Sequence, residues 1–265
     1  MYDLINQKWI SPYDFGFLYG FSLFETFFVR EDGTVFLLKY HIDRLFKSLN
    51  FFDIVIDMNQ EKLLDYIRQY IAENNIKGKV IRLTVSSGNK AHAIKPVIVL
   101  TARDFTGGNH SCYKLMISSV KKDPHSMILR HKTSNYLENL LEGRSANKKD
   151  CDDALFLNIH NNLAETTKCN IFFVQNNIVR TPDLDCGILP GITRQWAIEQ
   201  VSKLGLQFVE GSFTLEELMK ADEVFVTNSV IGIKGVNIID GHSISGDGCR
   251  GVTKQLISQY DTMKI

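Results

Sequence analysis

Four places in the chain carry residue types whose spacing can do chemistry. The run Thr181-Pro-Asp-Leu-Asp-Cys-Gly-Ile-Leu-Pro-Gly-Ile-Thr-Arg194 leads a Gly/Pro-punctuated loop straight into an amphipathic pattern, with Thr193 in its first turn. The first N–H groups of a helix lack internal partners and sit at the positive end of its dipole. Gly191, Ile192 and Thr193 are therefore placed to cradle a phosphate, although an ordinary loop-to-helix junction is the plainer reading. Glu165 lies in Leu163-Ala-Glu-Thr-Thr-Lys-Cys-Asn-Ile-Phe-Phe-Val174. A carboxylate near a buried strand needs a cationic partner or several donors; on a solvent-facing strand position it needs neither. Lys132, in Arg130-His-Lys-Thr-Ser-Asn-Tyr-Leu137, becomes a nucleophile only if burial or neighbours such as Arg130 and His131 destabilise its ammonium. Taken alone it reads as a solvated lysine. Arg44 stands three residues after His41, a spacing that joins them on one helix face, while Arg44 in isolation defaults to solvent.

Other chemistries are excluded by what the sequence lacks. The seven histidines show no H-E-x-x-H or similar spacing, so no catalytic metal is expected. Cys112, Cys151, Cys169, Cys186 and Cys249 are odd in number and form no C-x-x-C, which reads as reduced, mostly buried thiols. There is no G-x-S-x-G elbow, and Ser86-Ser87-Gly88 reads as a flexible loop. Gly246-Asp-Gly-Cys-Arg-Gly251 matches G-x-G-x-x-G, but the 14 residues after it are too few for a dinucleotide-binding βαβ unit. Thirty basic and thirty acidic side chains cancel, which removes the electrostatic basis for binding nucleic acid or an anionic membrane. No signal-peptide pattern opens the chain and no run of 18 apolar residues is present, so a cytoplasmic enzyme or binding protein is expected.

These residues must be positioned by a mixture of strands and helices. Residues 22–29 and 34–38 read as a hairpin around Glu31-Asp32-Gly33. Ile42, Leu45, Phe46 and Leu49 predict a helix over residues 39–50, and Leu64, Ile67 and Ile71 another over 61–73. Residues 79–86 and 95–101 read as strands, the second apolar enough through Val97-Ile-Val-Leu100 to lie buried on both faces. A strand over 113–120 precedes a stretch without period, 121–132, of which 121–130 reads as an interdomain linker. Beyond it helices are predicted over 134–145, 191–204, 214–220 and 252–260, with strands over 153–158, 169–175, 178–180, 206–210, 223–227 and 236–239. The pattern predicts two α+β or mixed α/β lobes, residues 1–120 and 131–265.

In their order along the chain these features resemble the class IV (fold-type IV) pyridoxal-phosphate enzymes. The matching stretches are Asp14-Phe-Gly-Phe-Leu-Tyr-Gly20 with Phe24-Glu-Thr26, His41-Ile-Asp-Arg-Leu45, Arg82-Leu-Thr-Val-Ser-Ser-Gly88 and Lys132-Thr-Ser-Asn-Tyr-Leu137. They continue with Glu165-Thr-Thr-Lys-Cys-Asn-Ile-Phe172, Thr181-Pro through Arg194, and Val226-Thr-Asn-Ser229, so essentially the whole chain is covered. The resemblance implies a smaller N-terminal α+β lobe and a larger C-terminal β-barrel-like lobe with flanking helices, the latter carrying the cofactor lysine. It implies pyridoxal 5'-phosphate as cofactor, held by Lys132 through a Schiff base, with Lys132 then acting as general base and acid. Glu165 is implied to pair with the protonated ring nitrogen and so keep the ring an electron sink. Arg44 is implied to meet the phosphate from one side and Ile192, Thr193, Thr227 and Asn228 from the other. Phe24, Thr26 and Arg82 are expected on the substrate side, the loops 88–92 and 121–130 around the pocket, and a homodimer acting on a small amino substrate.

Branched-chain aminotransferases, D-amino acid aminotransferases and 4-amino-4-deoxychorismate lyases share that chemistry. Asn135 stands three residues after Lys132, one fewer than in the branched-chain group, which is also usually longer. The loop Gly88-Asn-Lys-Ala-His92 lacks the arginine of the Arg-x-His clamp found in the D-amino acid group. With Thr227-Asn-Ser229, the chain most resembles the lyases, which release 4-aminobenzoate and pyruvate, and class IV amino transfer is the alternative. Gly235-Val236 departs from the Pro-Val of many relatives, which leaves the local substrate wall open. A cofactor-binding protein without turnover is the remaining reading, disfavoured because Lys132 and Glu165 are both present.

Overall fold

Alternating apolar side chains in residues 22–104 build a three-stranded sheet, and two helical repeats build the layer that covers one face of it. The computed structural model describes residues 2–3, 8–106, 112–244 and 250–264. Residues 1–106, 131–135 and 264–265 form one compact unit, and 107–130 with 136–263 form the other.

The first unit contains β1 (Tyr2–Asp3), β2 (Lys8–Trp9), α1 (Phe15–Tyr19), β3 (Ser22–Phe28), α2 (Leu38–Phe51), α3 (Gln60–Glu73), β4 (Lys79–Ser86) and β5 (Ile98–Asp104). The sheet order is β3-β4-β5, antiparallel throughout. Leu23 and Phe27 of β3, Ile81, Leu83 and Val85 of β4, and Ile98 and Leu100 of β5 pack on Ile42, Leu45 and Leu49 of α2 and Leu63 and Ile67 of α3. Each such fully buried side chain stabilises the unit by roughly 1.5–3 kcal/mol. Asn59 starts α3 by accepting from the Lys62 N–H at 2.9 Å. The opposite sheet face carries Phe24, Thr26, Arg82 and Thr84, because side chains alternate along a strand.

The second unit runs β6 (Cys112–Lys122), α4 (Leu137–Lys148), β7 (Asp153–Asn158), β8 (Leu163–Thr166), β9 (Asn170–Gln175), β10 (Ile178–Pro182), α5 (Ile192–Lys203), β11 (Gln207–Gly211), α6 (Leu215–Met219), β12 (Glu223–Asn228), β13 (Gly232–Ile239), β14 (His242–Ser243) and α7 (Gly251–Lys264). Strands β9-β12-β13-β6-β7-β8 pair in that order, and β8 returns to β9 through Glu165 opposite Asn170, closing a barrel. β10 and β11 extend from β9, and β14 pairs with β13. Leu115, Leu155, Leu163, Ile171, Phe173, Val224, Val226 and Val236 form one core. The mixed α/β class with a barrel in the later part of the chain is the fold that the resemblance implied.

The differences from the sequence reading have local causes. Residues 34–38 do not form a strand: only Val35 bridges to Val29. The Asp32 carboxylate takes both the Thr34 N–H and hydroxyl, at 2.8 and 2.7 Å, and Leu37 turns left-handed directly into α2. β5 is an edge strand buried on one face, with Thr101 exposed, so the apolar run did not signal burial on both. β6 continues through Lys122, whose buried ammonium meets Glu138 and Asn139, so the stretch expected as linker opens as sheet. The lysine segment 131–135 groups with the first unit rather than with the later lobe. α4 starts at Leu137 rather than residue 134, since the residues before it bond to β3. The five-residue α1, absent from the sequence reading, is capped by buried Asp14, which accepts from Gly16 N–H at 2.6 Å and the Ser86 hydroxyl at 2.7 Å. Of the second glycine motif, Gly251 opens α7 and residues 246–249 lie outside the described residues.

Candidate active site

In the first unit the functional side chains are set by β3. The segment 132–134 adds to its free edge: Phe24 N–H donates to Lys132 O at 2.9 Å, Ser134 N–H donates to Ser22 O at 2.8 Å, and the two serine hydroxyls meet at 2.7 Å. Lys132 is thereby fixed beside Phe24, with Nζ 4.5 Å from the ring centroid. The Arg82 guanidinium stacks on the same ring at 3.5 Å and bonds Thr84 through Nε at 3.2 Å. Thr26 pairs opposite Arg82. The structure therefore gathers Lys132, Phe24, Thr26 and Arg82 on one sheet face. The adjacent His131 ring stacks on Phe51 at 4.3 Å and bonds the Ser48 hydroxyl at 2.9 Å.

Arg44 lies on the α2 side of the sheet, buried against Glu25. Its Nε and Nη2 reach the two carboxylate oxygens at 2.8 and 2.6 Å, and His41 Nδ1 meets Oε2 at 2.7 Å. Burial alone would raise the Glu25 pKa, but the Arg44 charge and the hydrogen bonds from His41 and Arg44 outweigh it and hold it at about 2. Burial lowers the His41 pKa from its ordinary value against the pull of Glu25, with the Arg44 and Lys132 charges acting in the same direction as burial. The sequence placed His41 and Arg44 together but missed Glu25, although Phe24-Glu-Thr26 contains it.

In the second unit the barrel closure supplies the geometry. Asn170 opens β9 with Thr227 of β12 on one side and Glu165 of β8 on the other, so the three share one row. Glu165 is half-buried; its Oε2 accepts from Asn170 Nδ2 and from Leu189 N–H, both at 3.1 Å. The turn after Glu165 is fixed by buried Asp153, which accepts from the Thr166 and Thr167 hydroxyls. Burial raises the Asp153 pKa against the opposing charge of Lys168 and these hydrogen bonds. The loop before α5 ends at Gly191, the N-cap, and no side chain caps the helix. Thr193 is buried, its hydroxyl 3.3 Å from that of Ser229 and 3.5 Å from that of Tyr260. The Asn228 side chain holds its own turn, donating to Lys168 O at 2.6 Å and accepting from Val230 N–H at 2.7 Å. Asn170, Ser229 and Tyr260 were not singled out in the sequence; Asn170 and Ser229 lie inside the quoted motifs, while Tyr260 gave no signal beyond an apolar helix position.

Residues 22–239 match the profile of the family described as Amino-transferase class IV. The chain belongs to the class IV aminotransferase family. Its relatives carry more than one activity name. A Methanocaldococcus jannaschii protein provisionally named a branched-chain amino acid aminotransferase is 32% identical over 96% of this chain and 91% of its own. An aminodeoxychorismate lyase of Bacillus subtilis is 31% identical over 84% of this chain and 79% of its own. Among solved structures, a T.th. branched-chain amino acid aminotransferase complexed with N-(5'-phosphopyridoxyl)-L-glutamate superposes with a TM-score of 0.86 at 26% identity, covering 96% of this chain and 88% of that one. Like its family, this class IV chain is a pyridoxal-phosphate-dependent enzyme of fold type IV.

The residues present fit that cofactor. The uncapped first turn of α5 offers backbone N–H groups to a phosphate. Thr227 Oγ1 is buried with no hydrogen-bond partner among the described residues, a donor that a phosphate oxygen would satisfy. A Cβ on Gly191 would collide with Asn170 Oδ1, so only glycine brings the loop this close to β9. Among the described residues no cluster of His, Cys, Asp and Glu could hold a metal, and no helix is long and apolar enough to cross a membrane.

Proposed function

We propose that the protein is an aminodeoxychorismate lyase, releasing 4-aminobenzoate and pyruvate, and that it works as a cytoplasmic homodimer. The observation that carries the reading is the register of the lysine segment. Lys132 and Ser134 bond to β3, Asn135 follows at once with Nδ2 3.4 Å from Gly20 O, and Tyr136 leads into α4. The segment lacks the additional residue of the branched-chain group. The loop of residues 88–92 closes on itself through the Asn89–Ile94 bridge and a 3-10 turn, with Asn89 Nδ2 bonded to Tyr13 O at 2.9 Å. It carries no arginine with which to clamp a second carboxylate in the manner of the D-amino acid enzymes. The Bacillus subtilis relative adds support.

When bound, pyridoxal 5'-phosphate supplies the electron sink that this chemistry needs. Around it the roles fall to this chain's own residues. The N–H groups of Ile192 and Thr193 with the Thr227 hydroxyl bind the phosphate from one side, the Asn228 turn holds that wall in place, and Arg44 meets the phosphate from the other side while Glu25 remains its buried counter-charge. Glu165 keeps a proton on the ring nitrogen. Arg82 binds a substrate carboxylate, with Phe24 and Thr26 forming the wall beside it. Lys132 would carry the cofactor, and its free Nζ would take the proton from the substrate carbon that bears the amine and return one to the departing three-carbon group.

Incubation of the holoprotein with 4-amino-4-deoxychorismate is expected to give 4-aminobenzoate and pyruvate in equal amounts. Amino transfer is the second reading, favoured by the 32% identical relative. Absence of 4-aminobenzoate together with consumption of a branched-chain or D-amino acid that depends on 2-oxoglutarate would establish it instead. Bound cofactor with neither activity would leave the non-catalytic reading.

A further inference from the structure

Glu165, Asn170, Leu189 and Gly191 make one connected group. Asn170 is 4% exposed, and its single Nδ2 donates both to Glu165 Oε2 at 3.1 Å and to Leu189 O at 2.9 Å. Leu189 N–H returns to the same carboxylate oxygen at 3.1 Å. On its other side Asn170 packs so closely against the α5 N-cap that any side chain on Gly191 would strike it. One amide thus touches the carboxylate, the loop and the helix start.

We infer that Asn170 is a positioning residue that sets the Glu165 carboxylate and the N-terminal turn of α5 as one piece. The inference rests on the proposed roles of Glu165 at the cofactor ring nitrogen and of α5 at its phosphate. Two N–H donors on Oε2 fix the rotation of the carboxylate. The same amide holds the Leu189 peptide two residues before the N-cap, so a loss at one end is felt at the other. A residue that merely packed would change stability and leave the bound cofactor untouched.

The test is cofactor binding to the apoprotein. Asn170→Asp keeps the shape but replaces the donor with a second carboxylate beside Glu165; Asn170→Ala removes the donor without adding charge. Each variant is titrated with pyridoxal 5'-phosphate and with pyridoxal, which lacks the phosphate, and the absorption of the bound cofactor is followed against pH. Loss of a charge-assisted hydrogen bond predicts roughly 10–100-fold weaker binding of pyridoxal 5'-phosphate, larger for Asp than for Ala. The expected spectral titration shifts toward easier loss of the ring-nitrogen proton. In a Glu165→Gln background Asn170→Ala should add only a small further loss with pyridoxal, which has no phosphate for α5 to hold, since coupled residues are not additive, while a loss with pyridoxal 5'-phosphate persists through the α5 turn. Wild-type affinity and spectra in both variants would overturn the inference while leaving the functional reading intact, as would an undiminished loss with pyridoxal in the Glu165→Gln background. A wild-type apoprotein that takes up no cofactor would overturn the assignment of Glu165 and this inference with it. Asn170→Asp is close in shape to the native side chain, so it carries the comparison if the Ala variant does not fold.

Discussion

Glu25 is 1% exposed between Arg44 and His41, and its chemistry makes the first unit sensitive to acid. Its folded pKa of about 2 lies below the ordinary 4.5, so the stability it contributes is complete above pH 4.5 and is lost as the pH falls toward 2. His41 acts in the same direction at higher pH: its folded pKa is below 6.5, the unfolded chain takes the proton first, and stability starts to decline below pH 6.5. Glu25→Gln leaves the buried Arg44 guanidinium without its counter-charge, a change that costs about 3–5 kcal/mol. Urea unfolding followed across pH should show that loss at neutral pH and a flatter decline between pH 4.5 and 2 than in the native protein. An unchanged acid limb would mean that Glu25 is not the group responsible. None of this was legible in the sequence, where Glu25 is one acidic residue in an apolar strand and its partners are 16 and 19 positions away.

At the scale of the element, α5 shows what a helix start requires of its surroundings. Gly191 has ordinary extended angles, φ −68° and ψ 137°, so its identity is demanded by Asn170 rather than by the backbone. Gly191→Ala must push Asn170 aside or retract the loop, an overpacking that costs roughly 1–3 kcal/mol. A lower melting temperature and weaker uptake of pyridoxal 5'-phosphate are expected together; a variant as stable as the native protein would show that the loop has room. Helices α2, α3 and α5 were readable because apolar residues recur at helical spacing over three turns. Strand edges were not readable: Val97-Ile-Val-Leu100 is as apolar as a central strand, and only the sheet order makes β5 an edge. Nor could periodicity separate the strand expected over residues 34–38 from a turn, since what decides it is the Asp32 side chain and the left-handed Leu37.

At the scale of the whole molecule, chain order and spatial grouping part company at the lysine. A linear reading assigns Lys132 to the later lobe, whereas backbone pairing with β3 groups residues 131–135 with the first unit. Pairing between residues more than 100 positions apart leaves no local trace in the sequence, which is why the boundary was misplaced while most of the elements around it were found. The candidate site was legible for a different reason: Lys132, Glu165 and the α5 start sit in short motifs whose order along the chain is specific. Asn170 meets Glu165 and the α5 start in a geometry that only the closed barrel reveals. The proposed chemistry requires Lys132 to be the point at which the cofactor joins the chain. Borohydride reduction of the intact holoprotein, followed by proteolysis and mass spectrometry of the peptides, reads that point directly. A phosphopyridoxyl group on Lys132, absent from Lys132→Ala, is the predicted result; the group on another lysine, or on none, would contradict it.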